Sequence, residues 1–151
     1  MRRWRHWIDD ERGSASLEFI TAGMILLVPM VYLVLAISSL QAAGFAAEGA
    51  ARQAARVFVT AETVGEAQAQ VRRAVEFAMA DQGIDSDHAT VRVRCAPTPS
   101  DCLAPESMVT VTVDVLVALP LVPAVLDLDT AASVPIQAVA AQQVSRFGAA
   151  R

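Results

Sequence analysis

The chain has 151 residues, a formal charge of −4 and a 54% apolar fraction, so it can hold one small domain besides any membrane segment. All twelve basic residues are Arg, and beyond residue 40 eight Arg stand against twelve Asp or Glu. That balance excludes nucleic acid as a partner of this part, since nucleic-acid binding requires a clustered basic face, and it disfavours anionic lipid headgroups too.

Residues 1–13 read MRRWRHWIDDERG, with Arg2, Arg3, Arg5 and Arg12 ahead of a long apolar run. The nearest Arg on the other side are Arg52 and Arg56. Counting basic residues alone, as the orientation rule does, keeps the N-terminus cytoplasmic. Trp4 and Trp7 suit the membrane interface, or the stretch is a plain tail that serves only topology.

From Phe19 to Leu40 the chain is apolar apart from small or weakly polar residues, and no charge falls between Glu18 and Glu48. As a helix these 22 residues extend about 33 Å, enough for a hydrocarbon core of about 30 Å. A buried helix of a soluble protein would need a larger body around it than the remaining chain supplies. A secretory signal peptide is the competing reading, but its apolar region would be shorter. Pro29 sits mid-run, where a membrane helix tolerates it with a kink.

Glu18 stands at the edge of this run, where a carboxylate is costly. Gly13-Ser14-Ala15-Ser16-Leu17-Glu18-Phe19 resembles the processing motif of type IV prepilins: a Gly, four residues, a Glu, then a hydrophobic helix. The resemblance implies cleavage by a prepilin peptidase after Gly13, leaving Ser14 as the new N-terminus and Glu18 as an assembly contact for the amine of a neighbouring subunit. An ammonium is a fitting partner for a carboxylate in apolar surroundings.

Residues 42–59, AAGFAAEGAARQAARVFV, continue the helix beyond the span. Glu48 and Arg52 form an i,i+4 pair, and Arg56 extends the stripe. Ala47, Ala50, Ala51, Ala54, Val57 and Phe58 make the opposite face, which packs on the chain's own domain or, through its small residues, on another helix. A span followed by Ala46-Ala47-Glu48-Gly49-Ala50-Ala51-Arg52 resembles the TadE-like family of tight-adherence pilus proteins. With the prepilin-like segment, that resemblance covers about the first 60 residues.

Thr63-Val64-Gly65-Glu66 has capping-box spacing and opens a second helix, with Val64, Val71, Ala74, Val75, Ala78 and Met79 toward the core and Gly83 as its stop. Beyond the span, Asp85-Ser86-Asp87-His88 is the cluster of His with carboxylates, and reads as a turn whose side chains bond the local backbone rather than as a metal site. Thr90–Cys95 and Met108–Val117 alternate with period two, placing Arg92 and Arg94 on a wet face and Val109, Val111, Val113 and Val115 on a dry one.

Between these strands lies a Pro-rich loop with Cys95 and Cys102 near its ends, so antiparallel pairing follows most simply. A Cys95–Cys102 disulfide would staple the loop in an oxidising compartment, where the expected orientation puts it; free thiols are the alternative. Pro120 and Pro123 make residues 118–129 a poor central strand. A third strand is expected within Ala131–Ser145, its paired part from Ile136 to Val144 because Pro135 suits an edge or bend.

No nucleophile elbow, phosphate loop or HExxH motif is present, so no catalytic residue, metal, cofactor or small-molecule substrate is expected. The expected fold is α+β: an N-terminal transmembrane helix continuing into an extracytoplasmic helix, then a second helix and an antiparallel sheet of about three strands. The expected division is residues 1–13 as a cytoplasmic leader, removed if the prepilin resemblance holds, 14–40 as the prepilin-like segment with the span, and 41–151 as a small extracytoplasmic domain at the periplasm or cell surface.

By resemblance, the chain is a minor pilin or pseudopilin-like subunit of a tight-adherence system, with a prepilin peptidase, other pilin or TadE/TadF-like subunits and the inner-membrane assembly platform as partners. Two features separate it from the very short major pilin of such systems: its length, and Glu18-Phe19 in place of the usual Glu-Tyr. The alternative is a signal-anchored extracytoplasmic binding module that never enters a filament.

Overall fold

In a computed structural model of the protein, the described residues are 14–120 and 133–147. Helix α1 runs from Ser14 to Thr60, 47 residues with Pro29 inside it. Every large aliphatic or Met side chain from Leu17 to Ile37, with Phe19, is exposed, and 6% of the most apolar 18-residue window is buried. A soluble monomer rarely exposes so large an apolar surface. By length and composition α1 can cross a membrane.

The residues from Ser38 onward form a packed unit of their own. The C-terminal part of α1 contributes Ala43, Ala46, Ala47, Ala50, Ala51, Ala54, Ala55 and Phe58 to its core. Ala47, Ala50, Ala51 and Ala54 have no accessible surface, so the small-residue face packs on the chain's own domain. Ala keeps helix propensity high and lets the neighbouring elements approach closely. Phe58, 1% exposed, is the bulky anchor, and its burial is worth about 2–3 kcal/mol.

Helix α2 spans Val64–Ala80. Thr63 Oγ1 accepts from the Glu66 N–H at 3.2 Å, as the capping box requires. The reciprocal bond lands one residue earlier than expected, with the Glu62 N–H donating to Glu66 Oε2 at 3.3 Å. Val64 does not face the core: it is 39% exposed, because it lies in the first turn, ahead of the packed stripe. Ala67, Val71, Val75 and Met79 form that stripe, with Ala74 and Ala78 half-buried beside it.

Gly83 stops the helix, with φ +67°. The Gly83 N–H donates to Ala80 O and the Ile84 N–H to Met79 O, both at 3.0 Å. These two bonds make a Schellman motif, and Ile84 packs against the core cluster that includes Met79. A 3-10 turn, Ser86–His88, leads into the sheet.

Strands β1 (Ala89–Ala96), β2 (Met108–Ala118) and β3 (Ser133–Gln143) form an antiparallel sheet in the order β1-β2-β3. Val109, Val111, Val113 and Val115 of the central strand are at most 1% exposed. Val91 and Val93 pair with Val113 and Val111 on one side, and Ala138 and Ala140 with the same two valines on the other. The period-two pattern thus sends one face of all three strands to the helices' side and the other to water.

Strand β3 begins two residues before Pro135, which pairs opposite Leu116 inside the strand and does not mark its start. Because β3 is an edge strand, Pro135 can direct its missing N–H away from β2 without breaking a ladder bond. Leu119 and Pro120 are half-buried; most of the remaining stretch expected to be a poor strand lies outside the described residues, as does the leader.

Candidate functional site

Of the residues expected to carry function at the N-terminus, Gly13 lies outside the described residues and Ser14 opens α1. Glu18 is exposed on α1, one helical turn beyond Ser14, and has no hydrogen-bond or ion-pair partner among the described residues. It is the only charged residue of α1 before Glu48. A carboxylate so placed is uncompensated by the described residues, and in hydrocarbon it would require a cationic or hydrogen-bonding partner.

Cys95 and Cys102 are brought together as a disulfide with Cα atoms 5.2 Å apart. Cys95 ends the inward-facing series of β1, opposite Val109, so the bridge ties the β1–β2 loop to the rim of the core. At the far end of this connection Glu106 adopts φ +64°. Its N–H donates to Val144 O at 3.1 Å, and the Val144 N–H donates to Ser107 O at 2.8 Å. This pair of bonds carries the β2–β3 pairing one step past the strands.

The wet face of the sheet holds a three-strand clamp. Arg92 Nη2 donates to Asp114 Oδ2 at 2.8 Å, and Gln137 Nε2 donates to Asp114 Oδ1 at 2.6 Å. One carboxylate on the central strand therefore ties both edges. Sequence alternation places Arg92 and Asp114 on the same face but does not pair them. The contact is diagonal, Arg92 lying opposite Thr112, and depends on register.

In the Asp85–His88 turn, Asp85 Oδ1 accepts from the Asp87 N–H at 3.1 Å, a local backbone bond of the expected kind. Among the described residues no group of three or more His, Cys, Asp or Glu is placed to hold a metal ion.

Two concave surfaces were not legible in the sequence. One lies between α2 and β1, beside Val71, Val75, Val91 and Val93. The other lies between α1 and α2, beside Val57, Ala74 and Phe77. Phe77 is 72% exposed; its position off the Val71–Val75–Met79 stripe was the available signal.

No family model, curated protein or solved structure matches this chain.

Proposed function

We propose that the chain is a membrane-anchored, minor pilin or pseudopilin-like structural subunit of a tight-adherence pilus assembly or secretion system. The observation that carries this reading is Glu18: an exposed carboxylate with no partner among the described residues, on a membrane-length apolar helix, five residues after Gly13. In this reading a prepilin peptidase removes residues 1–13, and Glu18 meets the freed amine of Ser14 on another subunit. The charge-assisted contact relieves the cost of placing both groups in apolar surroundings. The chain's neighbours are then other pilin or TadE/TadF-like subunits and the inner-membrane platform.

The excess of Arg before the span supports a cytoplasmic N-terminus and an extracytoplasmic C-terminal domain. The Cys95–Cys102 bridge supports the same orientation independently, since such bonds persist in oxidising compartments. The test is Glu18→Gln in cells that carry the assembly platform and a partner pilin. Recovery of the chain in complex with pilin subunits should fall by roughly tenfold, as expected for losing a charged pair in apolar surroundings, while membrane insertion is unchanged. Equal recovery of Glu18→Gln and the natural chain would remove the assembly role from Glu18. Recovery of the natural chain in no pilin complex would favour a signal-anchored module.

A further inference from the structure

The order β1-β2-β3 leaves the outer edge of β1 without a neighbouring strand among the described residues, along eight residues that contain no Pro. Such an edge offers a row of backbone donors and acceptors to an incoming strand. Beneath it lies the groove between α2 and β1, about 500 Å³ in volume. Val71 and Val75 of α2 are buried there, whereas Val91 and Val93 of β1 are only half-buried, unlike the fully buried valines of the central strand. The exposed residues lining the groove include Arg72, Glu76 and Asp87.

The other face of β1 carries exposed Arg92 and Arg94, in a domain with more acids than bases. Arg92 is bonded to Asp114, but Arg94 has no partner among the described residues. An added strand would project alternate side chains to these two faces. The outward set meets two guanidinium groups and favours carboxylates. The inward set meets the half-buried valines, with Arg72, Glu76 and Asp87 at the margin, and favours apolar groups.

A second copy of β1 is the wrong occupant. Residues opposite one another in an antiparallel pair share a face, so pairing that overlaps the two Arg sets Arg against Arg. We propose that β1 accepts, as a fourth strand, an extended segment of a partner protein in which acidic side chains alternate with apolar ones. This inference does not depend on the pilin-like reading.

The test uses the full chain in lipid nanodiscs and an end-blocked eight-residue peptide alternating Asp with Val, read by titration and by amide hydrogen exchange. Saturable binding is expected, with increased protection at Val91–Arg94. Arg94→Glu, an exposed substitution, should weaken it by roughly tenfold, as a repulsive cross-strand pair replaces an attractive one. Of two peptides N-methylated at alternate amides, the one blocked on the edge-facing side should not bind. The proposal is overturned by no binding at millimolar peptide, by equal binding of a peptide with Arg in place of Asp, by equal binding of both N-methylated forms, or by protection that appears outside β1.

Discussion

Glu18 and Glu106 illustrate two ways in which a single residue departs from its local rule. Glu18 is a charge in an apolar helix, a placement whose cost a cationic partner would offset. Glu106 is a non-Gly residue at φ +64°, and what holds it there is local: its N–H bonds to Val144 O, and its carbonyl accepts from Gln143 Nε2 at 3.3 Å. A β-branched residue tolerates that conformation poorly. Glu106→Val should therefore lower the stability of the domain by about 1–2 kcal/mol in chemical denaturation, with the disulfide intact. An unchanged midpoint would show that the loop re-forms without the left-handed residue. The sequence around Glu106 carries no Gly or Asn to announce this conformation, so it could not be read in advance.

At the scale of elements, the clearest sequence signals were those that depend on near neighbours alone. The alternation of β2, the Thr63–Glu66 cap and the Gly83 stop each arise within a few residues, and each appears in the structure. Features that depend on which elements meet were less accessible. The Ala face of α1 suited two partners, and only the packing assigns it to the domain's own core. Val64 was expected inside on helical spacing, but Ala67 takes that place. The Asp114 clamp needs the register of all three strands.

The Ala face gives a direct test of core packing. Ala50→Leu introduces a side chain where no accessible surface exists, and should destabilise the domain by about 1–3 kcal/mol through overpacking. The same change at exposed Gly49, where an added Cβ meets nothing within 4 Å, should be far milder. The disulfide closes a short loop, with a sequence separation of 7. Replacing both cysteines by Ala should cost about 2.5 kcal/mol on the loop-entropy relation. In the natural protein, maleimide labelling should find no thiol until reduction; two reactive thiols under native conditions contradict the bridge.

At the scale of the whole molecule, composition separates the chain into a membrane-length apolar helix and a domain from Ser38 onward with its own core. The α+β class follows from that core: two helical faces rich in Ala and Val cover one side of a three-stranded sheet. Function was less legible than fold. Hydrophobicity marks a helix long and apolar enough to cross a membrane, while the proposed orientation rests on the Arg balance and the proposed meaning of Gly13 and Glu18 on the resemblance of one short segment to prepilins.

The central claim, a prepilin-like subunit matured at Gly13, is tested most directly by intact mass after co-expression with a prepilin peptidase. The account predicts a loss equal to residues 1–13, a new N-terminus at Ser14, and full-length product from Gly13→Ala. A natural chain that stays full length while a control prepilin in the same cells is cleaved would contradict it.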